Sequence, residues 1–201
     1  EVPMVVVARP TMAANTWAEL NTWIGQNKGK INLGNAGLGS ASHLCGLMLQ
    51  NALKTDMQTV PYKGTAPAMT DLIGGAIQFG FADIGNAVAQ IKGGKLKGLG
   101  VTPTRRASRA PEVPTIAEAG LPGYEVVAWF GLMAPAGIPK DAQQRLTAAA
   151  LAVLARPEVK DKLAAAGIDT DPLDSAGLAH AIDTEIKRWA KWVKDAGITP
   201  E

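Results

Sequence analysis

The sequence predicts an α/β fold in which helices cover a mostly parallel sheet, and three observations lead to this prediction. Short apolar runs typical of strands alternate with amphipathic stretches typical of helices between residues 11 and 122. The connections between them are short and rich in glycine, proline, serine and threonine, as in repeated strand–helix units. Of the 201 residues, 47% are hydrophobic and 19% are charged, which suffices for a packed core.

The strands of this region are predicted from short apolar runs with β-branched residues. They cover residues 3–7, 31–33, 57–62, 77–81 and 96–101. The helices are predicted from capping residues and glycines. Thr16 and Glu19 have the spacing of a capping box, which opens the first helix, and Gly29 ends it. Later helices are predicted over residues 41–53, 65–73 and 86–92, with Thr65 as the cap of the second of these.

The pattern changes at Leu121-Pro122-Gly123. A long apolar strand is predicted over residues 126–133, and the rest is helical, with helices that begin near Pro139, Pro157 and Ser175. Three segments result: a strand over residues 1–10, an α/β domain over 11–122 and a C-terminal segment over 123–201. Because a single strand cannot form a sheet alone, we expect the C-terminal segment to pack on a sheet supplied from elsewhere.

The composition argues against several classes of protein. The net charge of +2 arises from dispersed lysines and arginines, so no nucleic-acid surface is predicted; the densest group, Arg105, Arg106 and Arg109, is interpreted as a solvated loop. The single Cys45 cannot form an internal disulfide and is expected to be a buried, inert thiol. With only two histidines, no metal site is predicted. No apolar run reaches the ~20 residues of a membrane span, and no signal peptide is recognised.

Candidate binding residues lie where the predicted strands end, because ligands of open parallel sheets bind beyond the carboxyl ends of the strands. Three such ends carry polar or glycine-rich turns, at residues 35–42, 62–65 and 83–86. Two of them lead directly into helix N-termini, whose free N–H groups and dipole attract anions. Ser40, Ser42 and Thr65 add hydroxyl groups, so the sequence predicts a cleft for a carboxylate. The alternative is that these are the ordinary caps and turns of an α/β domain.

Nucleotide binding and hydrolysis are less well supported. The segment Gly37-Leu38-Gly39 lacks the third glycine of a dinucleotide fingerprint, because Ser42 occupies that position, and no P-loop signature is present. Ser42, His43 and Asp83 contain the groups of a hydrolase triad, but neighbouring residues of a helix point about 100° apart. His43 is therefore predicted to pack in the first turn of its helix and to form a local hydrogen bond.

Four segments in order along the chain form a recognisable set. They are residues 34–44 (GNAGLGSASHL), 60–68 (VPYKGTAPA), 111–124 (PEVPT followed by EAGLPGY) and 129–137 (WFGLMAPAG). In this order they resemble the substrate-binding proteins of tripartite tricarboxylate transporters, also called Bug receptors. Each segment is modest evidence by itself, but the ordered set is specific. The resemblance covers nearly the whole chain.

This resemblance implies a two-lobed, type II periplasmic binding protein that captures a small mono- or dicarboxylate and presents it to membrane permease subunits. It also implies that the protein is not an enzyme and has no catalytic residue and no cofactor. Carried onto this chain, it places the carboxylate contacts at helix N-termini, with Asp83 at the distal end of the ligand. The ligand-binding residues that it implies are Ala36, Gly37, Gly39, Ser40, Ser42, Lys63, Gly64, Thr65 and Asp83.

In the terms of this family, residues 1–10 are a crossover strand, 11–122 the second lobe and 123–201 the C-terminal portion of the first lobe. The family's Pro-Gly-Gly loop of the first lobe has no match in this sequence, so we expect an incomplete first lobe and self-association through exposed apolar faces. The segment 83–86 also departs from the Asp-Asn-x-Pro often seen there. An α/β enzyme for small anions and a ligand-binding signalling module are the alternatives to an uptake receptor.

Overall fold

The computed structural model describes residues 1–195, with the side chains of all of these except 191, 192 and 195. Residues 196–201, the end of the predicted C-terminal segment, lie outside the described residues. The chain forms two compact units. One is Val2–Ala128, and the other consists of Glu1 and the residues from Trp129 onward. The first unit thus includes residues 2–10 of the expected first strand together with residues 11–122, over which the α/β domain is expected.

The first unit is built on a six-stranded sheet. Its strands are β1 (Val2–Ala8), β2 (Asn32–Asn35), β3 (Gln58–Pro61), β4 (Phe79–Asp83), β5 (Lys97–Val101) and β6 (Val127–Ala128). Their order is β3-β2-β4-β1-β5, with β6 paired to β1. β2 runs parallel to β3 and β4, whereas β1 runs antiparallel to β4 and β5. The α/β prediction is confirmed, but the sheet is mixed rather than mostly parallel.

The direction of β1 accounts for this difference. Residues 3–8 of this strand are all buried, since it lies between β4 and β5 within the sheet. A continuous apolar run is typical of such a central strand, but its composition is the same whether its neighbours run parallel or antiparallel. The direction therefore depends on the path of the chain between β1 and β2, which the pattern of apolar residues does not specify.

Four helices pack on this sheet: α1 (Trp17–Gln26), α2 (Ala41–Leu53), α3 (Thr65–Gly74) and α4 (Ile84–Lys92). The predicted cap of α1 is confirmed, because the Thr16 hydroxyl accepts a hydrogen bond from the N–H of Glu19 at 3.2 Å. The predicted cap of α3 is wrong. Gly64 occupies the cap position with a φ of 106°, and Thr65 is the first helical residue.

The core of the first unit lies between the sheet and these helices. Its largest fully buried side chains include Trp17, Leu20, Leu49 and Phe79. Cys45 is buried as predicted, and burial raises the pKa of its thiol well above the ordinary range. The Tyr124 hydroxyl donates to the backbone carbonyl of Cys45 at 2.8 Å, which ties the segment after β5 to α2.

The second unit contains the helices α5 (Lys140–Leu154), α6 (Pro157–Ala165) and α7 (Ser175–Asp195), close to the predicted positions. The strand predicted over residues 126–133 is wrong beyond Ala128, because β6 pairs only Val127 and Ala128 with β1. An apolar run becomes a strand only where a neighbouring edge is available for hydrogen bonding. Within residues 1–195, no helix is long and apolar enough to cross a membrane.

Candidate functional site

The glycine-rich loop between β2 and α2 is held together by hydrogen bonds among its own residues. The Ala36 N–H donates to Ser42 Oγ at 2.9 Å, and the Gly37 N–H donates to Asn35 Oδ1 at 2.8 Å. Ser40 caps α2, because its Oγ accepts from the N–H of His43 at 3.2 Å. Gly37 and Gly39 have φ angles of 129° and 74°, which L side chains rarely adopt, so the loop depends on these two glycines.

The hydroxyl hydrogens in this loop point into the protein. Ser40 Oγ donates its single hydrogen to the Gly37 carbonyl at 2.7 Å. The 3.0 Å contact between the two serine Oγ atoms must therefore be donated by Ser42. Both serine hydroxyl groups therefore donate hydrogen bonds within the loop. In this structure Ser40 and Ser42 stabilise the loop conformation, and backbone N–H groups are the donors available to a ligand.

The loop between β3 and α3 lies directly beside the first one. The Gly64 N–H donates to the Ala36 carbonyl at 3.0 Å, which joins the two loops. This contact follows from the parallel pairing of β2 with β3, which places Asn35 opposite Pro61 at the same edge of the sheet. Lys63, the predicted cation of this loop, is exposed.

Asp83 joins the third predicted segment to the second. Its Oδ2 accepts from Thr65 Oγ1 at 3.2 Å, and its Oδ1 caps α4 by accepting from the N–H of Asn86 at 3.0 Å. The side-chain amide of Asn86 also donates to both oxygens, at 2.8 and 2.9 Å. The three predicted segments are thus contiguous, and the carboxylate of Asp83 is fixed between α3 and α4.

Two helix N-termini in this cluster retain donors for an anion. The first N–H groups of a helix have no partner inside it. In the described part of the chain, Ala41 and Ser42 of α2 and Thr65 and Ala66 of α3 donate these N–H groups to no other acceptor. Together with the helix dipoles, four such N–H groups at adjacent loops form an arrangement that suits a carboxylate.

His43 forms the local hydrogen bond that the sequence predicted. Its Nδ1 accepts from the N–H of Gly39 at 3.1 Å, so the ring is neutral with its hydrogen on Nε2. Ser42 Oγ and Asp83 have the other partners described above. Ser42, His43 and Asp83 therefore do not form a catalytic triad. Among residues 1–195, no group of three or more metal-ligating His, Cys, Asp or Glu side chains is present.

The burial of the His43 ring predicts how this side chain responds to pH. Burial lowers the pKa of His43 from its ordinary value of 6.5, because the neutral ring is easier to desolvate than the charged ring. Because the folded-state pKa is lowered, the folding stability that depends on a neutral His43 ring is fully present above pH 6.5. This stability is lost as the pH falls through the pKa of the folded state. We expect an NMR titration of the His43 ring to give a midpoint below 6.5, with the Gly39 N–H resonance moving in parallel. A midpoint at or above 6.5 would contradict the burial of the His43 ring.

Comparison with known proteins identifies the family. The family model described as "Tripartite tricarboxylate transporter family receptor" matches residues 1–198. The chain belongs to this receptor family. Among solved structures, the periplasmic binding protein BugD is 38% identical with a TM-score of 0.85, and the match covers 100% of this chain and 68% of BugD. The fold is therefore that of a periplasmic binding protein.

Two further solved structures of similar fold contain a small molecule. Rpa4515 of R. palustris, described with adipate, is 30% identical with a TM-score of 0.88 over 100% of this chain and 67% of its own. MatC from Rhodopseudomonas palustris, described with bound malate, is 33% identical with a TM-score of 0.81 over 96% of this chain and 66% of its own. Both ligands are small carboxylates.

The curated relatives are longer than this chain. A UPF0065 protein of Agrobacterium vitis is 38% identical over 200 residues, which is 98% of this chain and 58% of that protein. BugT of Bordetella pertussis is 29% identical over 98% of this chain and 60% of its own length. The chain thus spans about three fifths of the length of these relatives.

Proposed function

We propose that this chain contributes a carboxylate-binding half-site to a periplasmic receptor, which delivers its ligand to a membrane transporter of the tripartite tricarboxylate type. The observation that carries the proposal is the pair of adjacent helix N-termini with four unpartnered N–H groups, joined by the 3.0 Å bond from Gly64 to Ala36. The adipate and malate of two similar solved structures support a small carboxylate as the ligand class.

Apart from Asp83, the predicted binding residues have two roles in this proposal. The first-turn N–H groups at Ser42 and Thr65 bind the carboxylate, and exposed Lys63 adds a positive charge nearby. The remaining residues hold the loops in the conformation that presents those donors. They are Ala36, Gly37, Gly39, Ser40 and Gly64.

Asp83 is proposed to set the preference at the distal end of the ligand. Its carboxylate is fixed by Asn86 and Thr65, between the N-termini of α3 and α4. A ligand group that reaches Asp83 meets a negative charge, so a hydroxyl or amino group is favoured at that position, and a second carboxylate of the ligand is expected to bind away from Asp83. The charge therefore discriminates among carboxylic acids that all bind equally well at α2.

A receptor fits this geometry better than the enzyme alternative. Within residues 1–195, the hydroxyl groups of the cluster donate to the protein, and His43 accepts from Gly39 instead of from a nucleophile. An activated nucleophile would require a base within hydrogen-bonding distance of a free hydroxyl. A signalling module would bind the same ligand as an uptake receptor. These two functions are distinguished by whether the protein restores carboxylate uptake in cells from which its gene has been deleted.

Thermal melting in the presence of carboxylic acids tests the proposal. A ligand that binds only the folded state raises its stability by about 2.7 kcal/mol at a concentration 100 times its Kd. We expect adipate, malate or a related acid to raise the Tm, and the corresponding neutral amide to leave it unchanged. A panel of carboxylates that leaves the Tm unchanged would contradict carboxylate binding by this chain, and turnover of an anionic substrate would favour the enzyme.

The Thr65→Pro variant is expected to bind carboxylates about 10- to 100-fold more weakly, because it removes a backbone donor worth about 1.5–3 kcal/mol to a charged partner. Proline is tolerated at the first position of a helix, and the preceding Gly64 already has an extended ψ of 173°. The fold should therefore survive. Isothermal titration would measure the affinity.

Thr65→Ala is the matched control for this variant. It also removes the hydroxyl that donates to Asp83, but it keeps the backbone N–H. We expect Thr65→Ala to retain most of the affinity. Equal losses in the two variants would show that the hydroxyl, and not the backbone N–H, carries the interaction.

A further inference from the structure

Asn35, the last residue of β2, has a buried amide group with an unused donor. The side chain is 1% exposed. Its Oδ1 accepts the N–H of Gly37 at 2.8 Å, which fixes the orientation of the amide because only the oxygen can accept. The other atom of the same group, Nδ2, is buried and has no hydrogen-bond partner within the described chain. Buried donors are rarely left unpaired in native proteins, so this one calls for an acceptor.

The unused donor lies under the first turn of α2. Side chains alternate between the two faces of a strand, so Asn35 shares a face with Leu33. Leu33 faces α2, since a Cβ added at Gly46 of that helix would lie 2.7 Å from its side chain. Because Asn35 is at the carboxyl end of β2 and the loop to α2 is short, its amide lies at the end of α2 that carries the free N–H groups of Ala41 and Ser42.

We propose that Asn35 is a ligand-binding residue, whose Nδ2 donates to a carboxylate oxygen when a ligand occupies the N-terminus of α2. This inference rests on the proposed function. The two polar atoms of the side chain have different roles. Oδ1 stabilises the glycine-rich loop by accepting from Gly37, and Nδ2 donates to the ligand alongside the backbone N–H groups. The ligand class is an acid with at least one ionised carboxylate, since an anionic oxygen is the strongest acceptor for a buried amide.

A titration of the full chain with adipate and with malate, followed by two-dimensional nitrogen–proton NMR, tests the assignment directly. Formation of the hydrogen bond is expected to move one Nδ2 hydrogen of Asn35 downfield as the ligand is added, together with the N–H resonances of Ala41 and Ser42. If the backbone resonances move and the Asn35 amide does not, the inference is overturned while the proposed function stands. If no resonance of the cluster moves with either acid, both fail.

The Asn35→Asp variant separates the two roles of the side chain. Aspartate keeps an oxygen for Gly37 but has no donor when ionised, so we expect affinity for adipate and malate to fall about 10-fold or more at pH about 8. Burial raises the pKa of such a carboxyl, and the neutral acid regains a hydroxyl donor. Affinity is therefore expected to recover as the pH is lowered to about 5, at which both ligands are still largely ionised.

Thr55→Val is the matched control. Thr55 also has a buried hydroxyl without a partner within residues 1–195, but it follows the C-terminal end of α2, away from the free N–H groups. The variant is expected to bind both acids like the wild-type chain at either pH. An Asn35→Asp variant that binds like wild type, or that shows the same weak binding at both pH values, would assign Asn35 to the loop alone and overturn the donor role.

Discussion

A Gly80→Ala substitution is expected to destabilise the protein by about 1–3 kcal/mol or more, although it adds a single methyl group. Gly80 lies in β4 beside Gly34 of β2, and the added Cβ would lie 2.7 Å from the Gly34 carbonyl oxygen. Backbone cannot rotate out of the way as a side chain can, so the two strands must separate. The Tm should fall by roughly 2–4 °C for each kcal/mol lost, which thermal unfolding by circular dichroism would measure.

Gly25→Ala is the matched control for this substitution. Gly25 lies in α1, is exposed, and has no atom within 4 Å of an added Cβ. Alanine in a helix is favoured over glycine by about 0.5–1 kcal/mol, so this variant should be slightly more stable than the wild type. If Gly80→Ala proved as stable as Gly25→Ala, the close approach of β2 and β4 would be wrong.

The same contact connects stability to the binding site. β2 ends at Asn35 and β4 ends at Asp83, so the spacing of the two strands sets the distance between the glycine-rich loop and the acidic end of the cluster. We expect Gly80→Ala to weaken ligand binding even at temperatures at which the protein remains folded. The sequence does not reveal the close contact between Gly80 and Gly34. A glycine within a strand is compatible with exposure to solvent and with close approach of another backbone.

The elements of the first unit could be predicted because their signals are local. Apolar runs and capping residues specify β2, β3, α2 and α4 within a few residues, and the Ser40 and Asp83 caps act on their own first turns. The direction of β1 and the length of β6 depend on which strand edge is free elsewhere in the chain. Such partners are separated by many residues, so no window of sequence contains them.

The position of the site could be predicted for a related reason. Residues that follow neighbouring parallel strands meet at one edge of the sheet, which brings Ala36, Gly64 and Asp83 together. The direction of each hydroxyl hydrogen could not be predicted. Ser40 and Ser42 donate inward because Gly37 presents its carbonyl at 2.7 Å, a detail of the loop that residue types do not encode. The amide of Asn35 was missed for the same reason, since its burial depends on α2.

The two units should differ in whether they fold alone. All of the buried hydrophobic side chains described lie between Met4 and Val126, within the first unit. The second unit exposes many large apolar side chains and has none fully buried among those described: Trp129, Phe130, Leu132, Met133, Leu146, Val153, Leu173 and Ile186 are all at least partly in solvent. Isolated helices without a packed face are marginal in water. A fragment of residues 2–128 should therefore unfold cooperatively, whereas a fragment of residues 129–201 should show weak helicity and no sharp transition by circular dichroism.

Matched leucine substitutions in the whole chain test the same difference without cutting it. Leu49→Ala removes a fully buried side chain and should cost about 2–5 kcal/mol, whereas Leu132→Ala removes one that is 75% exposed and should cost less than about 0.5 kcal/mol. Comparable losses would mean that Leu132 is covered in solution. Since exposed apolar groups favour association, gel filtration at rising concentration would then show whether a second copy covers it. If Leu132→Ala lowers the stability only at concentrations at which the protein is dimeric, self-association is supported. If it lowers the stability of the monomer equally, residues of the same chain bury Leu132.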